Sequence, residues 1–215
     1  MEQQEVNMEN KVLRNLSYGM YIVGSKDEKC VGCIANTVVQ ITSEPKTIAV
    51  SINHDNYTNS VIKKTKKFSV SILSENTAPE IIGTFGYKTS KEVDKYKDVD
   101  TKDLEGLPVL TDSCGNIVCK VIDIMETNTH TVFLGEIVTM DNYKEDTPMT
   151  YKYYHEVLKL KSPKNAPTYV EEKEENKKTV WKCSICGYEV EMNELPDDYV
   201  CPICKQPASE FKKIG

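Results

Sequence analysis

From residue 18 onward, runs rich in Val, Ile and Thr recur along the chain, each cut short by Gly, Pro, Asn or Asp. They predict β-strands over 18–23, 32–42, 47–53, 68–73, 117–125 and 131–140. The most apolar windows, 47–52 and 132–140, are strand-length and far too short to span a bilayer. Within the run 32–42, Asn36 and Thr37 interrupt an otherwise apolar pattern, so either the strand bulges there or something polar meets them. Over 56–67, Val61 and Ile62 lie on one side and lysines on the other, behind the cap candidates Asn56, Thr58 and Ser60, which predicts a helix. Lys63, Lys64, Lys66 and Lys67 then decorate its solvent face. Shorter helical pieces are expected over 79–85 and within 91–97.

This order is not the regular strand–helix alternation of a parallel sheet, and no GxGxxG follows a strand, which argues against a dinucleotide-binding α/β fold. The expected fold is mainly β, an antiparallel barrel with a few covering helices. The stretch EEKEENKKT at 171–179 is charged and has no apolar residue, and it predicts a linker between a large module, 1–170, and a small one, 180–215. Nine extended residues reach at most ~30 Å, a tether that keeps the two modules near each other.

Composition narrows the function. A net charge of −6 with no basic block argues against nucleic acid. The polar start MEQQEVNMENK is not a secretory signal, and no run suits a membrane, so the cytoplasm is the expected compartment. In a reducing compartment eight cysteines point to metal or redox work rather than disulfides.

Four of the eight crowd the C-terminus as two C-x-x-C loops, Cys183–Cys186 and Cys201–Cys204. Two such loops brought together supply a tetrahedral cage of four thiolates, which suits zinc or iron alike. The flanking residues go further. Trp181-x-Cys183-x-x-Cys186-Gly187-Tyr188 and Leu195-Pro-Asp-Asp-Tyr199-Val-Cys201-Pro-x-Cys204, with Phe211 beyond, closely resemble the rubredoxin family. The resemblance implies one iron held by Cys183, Cys186, Cys201 and Cys204 over an aromatic core of Trp181, Tyr188, Tyr199 and Phe211. The family carries Gly after the last cysteine of each loop, whereas this chain has Gly187 but Lys205. A lysine held at positive φ there carries some strain.

A four-thiolate iron passes single electrons and needs a supplier. In the large module, the run from Cys33 through Asn36-Thr37 to Pro45, the strand Thr47–Asn53, and Asn56-Tyr57-Thr58-Asn59-Ser60 resemble the flavin reductase-like, FMN-binding split-barrel family. His130-Thr131-Val-Phe-Leu-Gly135-Glu136, Tyr153-Tyr154-His155 and Asn165-Ala-Pro-Thr-Tyr169 match the branch with a rubredoxin tail. The resemblance spans about 8–170. It implies that Asn36, Thr37, Ser51 and Asn53 meet the polar edge of FMN, with Cys33 beside it. Tyr57, Thr58, Asn59 and Ser60 at a helix start, with Lys88 and Lys91, would receive its phosphate. Read as residues alone, 58–60 are equally plain caps and Lys88 an ordinary surface lysine. His130 is expected beside the nicotinamide of NADH or NADPH, or as a satisfied strand histidine; His155 shares a family motif but suits dimer packing equally, and His54 is expected to be exposed. Cys30-Val-Gly-Cys33 lacks the strand-to-helix setting of a cycling dithiol and reads as a strand pair.

Together the resemblances imply the architecture of the high-molecular-weight rubredoxins. A homodimeric oxidoreductase would pass electrons from NAD(P)H through FMN to iron and on to a flavodiiron protein reducing oxygen or nitric oxide. Two alternatives stay open: a flavin reductase that releases reduced FMN, and a non-enzymatic carrier of FMN and metal.

Overall fold

The computed structural model describes residues 12–13, 15–141, 145–158, 180–192 and 194–214. The chain divides into two compact units, Met1–Val170 and Glu171–Gly215. The stretch 171–179 and the motif 165–169 lie outside the described residues.

In the larger unit the elements run β1 (Tyr21–Lys26), β2 (Cys30–Ala35), β3 (Val38–Ser43), β4 (Lys46–Asn53), α1 (Tyr57–Thr65) and β5 (Lys67–Ile72). They continue with α2 (Pro79–Tyr87), β6 (Thr101–Leu104), β7 (Leu107–Leu110), β8 (Gly115–Glu126), β9 (His130–Asp141) and α3 (Tyr151–Glu156). Seven strands form one sheet in the order β2-β1-β5-β8-β9-β4-β3, antiparallel at every step. Its two edge strands, β2 and β3, are consecutive in the chain and joined by Asn36 and Thr37 alone. Laid flat, the edges of seven strands would lie ~29 Å apart, yet this connection spans at most ~11 Å. The sheet must therefore roll into a barrel, split at the seam that Asn36–Thr37 crosses. Ser51 N–H donates to Thr37 O at 3.1 Å, which extends the β3–β4 ladder up to this corner. The single strand expected over 32–42 is thus two strands, because the chain turns the barrel's corner at the two polar residues.

Burial on β1 is nearly continuous because its two faces enter different cores. Val23 joins Cys33, Val50, Ile62, Phe68, Val70, Cys119 and Phe133 inside the barrel. Ile22 joins Met20, Leu73, Ile82, Phe85, Leu110, Met149 and Tyr154 under the helices α2 and α3. At the start of α1, Asn56 accepts from Thr58 N at 3.1 Å, and Lys66 ends the helix in the left-handed region. Lys63 pairs with Glu126 at 2.7 Å and Lys64 pairs with Asp27, so these lysines lie on the solvent face as expected.

Two local expectations fail. Residues 91–97 form turns rather than a helix, tied down by Ser90 and Lys95, whose side chains bond backbone carbonyls of β2 and α2. The hairpin β6–β7 is absent from the strands expected from sequence. It turns on Glu105 and Gly106, both at positive φ, and its anchors are long-range: Ser69 Oγ donates to Pro108 O at 2.7 Å and Ser71 Oγ accepts from Leu110 N at 3.0 Å. The smaller unit is a three-stranded sheet, β11-β10-β12, of β10 (Val180–Cys183), β11 (Glu189–Glu191) and β12 (Phe211–Lys213).

Gly135 of β9 lies against the packed interior: a Cβ there would stand 2.7 Å from the Phe68 ring and 2.8 Å from Cys119 Cβ. Both neighbours are fully buried. Gly135→Ala is therefore expected to destabilise the barrel by about 1–3 kcal/mol through overpacking, read as a lower urea midpoint at unchanged slope; an unchanged midpoint would contradict this packing.

Candidate cofactor cleft and metal centre

At the seam the barrel opens a cleft with about 680 Å³ of empty space, open to solvent. Strand alternation delivers one wall. Ser51 and Asn53 share a face of β4, and Asn53 pairs with His130 of β9 in the sheet. Asn36 adds its side chain from the seam. Thr37 does not line the cleft; its hydroxyl donates to Asn36 Oδ1 at 3.0 Å, so it acts by orienting that amide. The opposite wall is aromatic: Tyr87 at the end of α2, and Tyr151 and Tyr154 of α3. The Tyr87 and Tyr154 hydroxyls stand 3.2 Å apart, and Tyr151 stacks on Tyr154 at 5.9 Å. Burial raises the Tyr154 pKa further above neutrality, so its hydroxyl keeps its proton.

His130 carries the most informative geometry. Its Nδ1 lies 2.8 Å from Thr129 Oγ1, while Nε2 is buried without a hydrogen-bond partner. Burial, with His54 nearby, lowers its pKa below the usual histidine value, so the ring is neutral at pH 7. A buried ring nitrogen without a partner is costly unless a ligand supplies one. The satisfied strand histidine expected as the alternative is not what the structure shows. His54 is exposed, as expected, and bonded to Glu126 at 3.0 Å. His155 packs its ring on Tyr151 and Tyr154.

The residues expected at a phosphate separate. Thr58 and Asn59 are buried in the first turn of α1; the Asn59 amide donates to Ile52 O at 2.9 Å, and Thr58 Oγ1 is buried without a hydrogen-bond partner. The helix packs that face inward, which the cap pattern does not reveal. Ser60 is exposed and donates to Tyr57 O at 2.8 Å. Tyr57 and Lys91 do come together, the Lys91 ammonium lying 5.6 Å from the ring centre, and Lys29 adds a second ammonium at 5.9 Å. Lys88 is exposed just past α2 and does not line the cleft.

Cys30 and Cys33 lie three residues apart on one strand and face opposite ways, Cys33 into the barrel and Cys30 toward the outer core. They cannot cycle as a dithiol. Burial pushes the Cys33 thiol up to about 11, against the opposing Lys95 charge, and that of Cys119 to about 12. Cys33 lines the cleft as an inert thiol.

In the smaller unit the sulfurs of Cys183, Cys186, Cys201 and Cys204 all lie within 4.8 Å of one another. Cys183 and Cys204 Sγ are 3.6 Å apart, and Cys186 and Cys201 Sγ 3.5 Å. A tetrahedral metal with ~2.3 Å metal–sulfur bonds needs ~3.8 Å edges, so the donor set fits. The two loops are geometric twins. Gly187 N–H donates to Cys183 O and Lys205 N–H to Cys201 O, each at 3.0 Å. Gly187 has φ 75° and Lys205 φ 60°, which places the lysine in the strained conformation expected for it. Backbone N–H groups of Cys186 and Ile185 hold the Cys183 thiol below the ordinary range. Burial opposes ionisation of Cys201, but the N–H groups of Cys204 and Ile203 together with the thiols of Cys186 and Cys204 outweigh it and bring that thiol to about 7. Phe211 is buried with the two inner cysteines, packed by Trp181, Tyr188 and Tyr199.

The aromatic wall escaped the sequence reading, apart from Tyr154 as part of a family motif.

Comparison with known proteins agrees with both halves. The flavin reductase like domain family matches residues 13–158, and the rubrerythrin, rubredoxin-like domain family matches 181–212. The high molecular weight rubredoxin of Moorella thermoacetica is 34% identical over 96% of this chain and 100% of its own length. The ferric-chelate reductase (NAD(P)H) of Archaeoglobus fulgidus is 39% identical over 77% of this chain and all of its own. Among solved structures, the Streptomyces globisporus NADH:FAD oxidoreductase superposes with a TM-score of 0.62 at 20% identity, covering 68% of this chain and 87% of that one.

Trp181 is the single tryptophan of the chain, so its emission reports the small unit alone. Stripping the metal with a chelator, or Cys201→Ser, is expected to shift that emission to the red as the unit unfolds, while the far-ultraviolet strand signal of the barrel persists. An unmoved Trp181 spectrum would mean the small unit folds without metal.

Proposed function

The chain belongs to the flavin reductase-like family, among the high-molecular-weight rubredoxins, and from that premise we propose that it carries electrons from NADH or NADPH through FMN in the cleft to iron in the small unit. The iron then serves a redox protein, for which a flavodiiron oxygen or nitric oxide reductase is the proposed acceptor. The observation that carries the reading is a cleft holding a neutral histidine with an unmet buried nitrogen among aligned polar side chains, on the same chain as a four-thiolate cage. FMN, when bound, accepts the electron pair of a reduced nicotinamide as hydride and releases it singly, which matches a one-electron iron site.

The protein's own residues bind and orient. Asn36, fixed by Thr37, would bond the polar edge of the flavin with Ser51 and Asn53. His130 Nε2 would meet a polar group of the flavin or the nicotinamide and keep it in place without adding charge. Tyr87, Tyr151 and Tyr154 exclude water and offer hydroxyl donors. Tyr57, with Lys91 and Lys29, is the proposed phosphate end. Cys186 is exposed whereas Cys183 and Cys201 are buried, which gives single electrons a way out. Exposed Val39, Ile41, Ile122, Met125, Val138 and Met140 on β3, β8 and β9 support a second copy packing there and covering the open cleft. Among the described residues no helix is long and apolar enough to cross a membrane.

The openness of the cleft favours one second reading, release of reduced FMN to another enzyme; FMN that stays with the protein through gel filtration counts against it. In an anaerobic titration, NADH or NADPH should bleach overlapping flavin and ferric-thiolate bands together. Cys201→Ser should abolish the iron bands and the reduction of an external acceptor, yet leave flavin reduction within about twofold of wild type. Equal loss of both activities contradicts the relay. For His130, a depressed pKa means that the neutral ring persists above that value and is lost as pH falls through it. Flavin reduction should therefore decline on acidification with a midpoint below the usual histidine range, and His130→Gln should remove that limb while slowing reduction about 10–100-fold.

A further inference from the structure

Lys95 is 3% exposed, yet none of the ion pairs among the described residues includes it. Its ammonium donates to two backbone carbonyls, Gly32 O of β2 at 2.9 Å and Phe85 O of α2 at 3.1 Å, and lies 5.8 Å from the Phe85 ring centre. Ser90 completes the arrangement: its hydroxyl accepts from Gly32 N–H and sits 3.3 Å from Gly32 O. Part of this is architecture. β2 is an edge strand, and the segment around Ser90 and Lys95 satisfies edge groups that would otherwise meet a neighbouring strand. A neutral donor would serve that purpose, however, and a buried cation without a counter-charge is costly.

Its position explains the charge better. Gly32 and Phe85 each immediately precede residues that line the cleft, Cys33 and Ile34 on one wall and Gly86 and Tyr87 on the other. Lys95 thus bridges both walls from behind. Its charge acts on the sulfur of Cys33, which lines the cleft. It meets the Gly32 carbonyl and Cys33 of β2 and the Phe85 carbonyl and ring of α2, and its own segment carries Ser90, Asp94 and Tyr96. Asp94 Oδ1 is turned to Tyr96 N–H at 3.0 Å, and Tyr96 keeps its proton because burial raises its pKa well above the usual tyrosine value. Among the described residues that line the cleft none carries a carboxylate, so a ligand is what would bring negative charge to this cation.

We propose that Lys95 is a positioning charge that stabilises the anionic reduced form of the flavin bound in the cleft. This inference rests on the functional reading above. Oxidised flavin takes up two electrons from the reduced nicotinamide and one proton to reach its anionic reduced form; a second proton gives the neutral one. A fixed cation favours the first product and raises the two-electron midpoint.

The test uses the full-length protein with FMN bound and measures midpoint potential by anaerobic dye equilibration. Lys95→Met should lower the preference for reduced over oxidised flavin at least about tenfold, a fall of ~30 mV for a two-electron couple. Lys95→Arg should keep the wild-type value, and Ser90→Ala, which loosens the same tie without touching charge, should leave it unmoved. Wild type gives an independent readout if Lys95→Met does not fold. One proton per two electrons means ~30 mV per tenfold change in proton activity, and that slope should persist on acidification to pH 6. A slope twice as steep at pH 6–7, or an unchanged midpoint in folded Lys95→Met, overturns the inference and leaves Lys95 an edge tie. Wild-type protein that holds no flavin at all would instead sink the functional reading.

Discussion

Everything in the larger unit depends on a chain that is too short to do anything but close the barrel. β2 and β3 sit at opposite edges of a seven-stranded sheet, and two residues join them. No flat arrangement meets that constraint, so the sheet rolls until its edges approach, and the split in the barrel falls where those two residues are. Because they are Asn36 and Thr37, the closure also sets the Asn36 amide, held by the Thr37 hydroxyl, at the cleft. Strand alternation on β4 then adds Ser51 and Asn53, and the β4–β9 register adds His130. Fold and candidate site therefore come from one geometric requirement.

The eight cysteines divide sharply by environment. Those of the barrel that are fully buried, Cys33 and Cys119, have pKa values pushed to about 11 and about 12 and sit among apolar side chains. In the small unit, Cys183 and Cys201 meet backbone N–H groups, which favour their thiolates. The same element thus serves as packing material in one unit and as a cation-binding cage in the other, and the difference lies in which backbone dipoles the loops aim at the sulfur.

Much of this was legible in the sequence where the signal is local. Short Val- and Ile-rich runs give strands, and paired C-x-x-C loops bring their own geometry. Asn36-Thr37 was visible as an anomaly, but that it joins the two sheet edges needed the strand order. The burial of Thr58 and Asn59 is not legible locally, because good capping residues look alike whether their face of the helix turns to solvent or to the core. The hairpin β6–β7, the aromatic wall and the carbonyl partners of Lys95 depend on contacts between residues far apart in the chain, and no local pattern announces them.

The double burial of β1 has a further consequence. With Val23 in one core and Ile22 in the other, a single strand belongs to two hydrophobic clusters at once. Neither the barrel interior nor the layer beneath α2 and α3 can loosen without breaking the same backbone pairing. Shared backbone of this kind ties the two clusters into one cooperative unit, which favours walls of the cleft that keep their spacing while the domain stays folded.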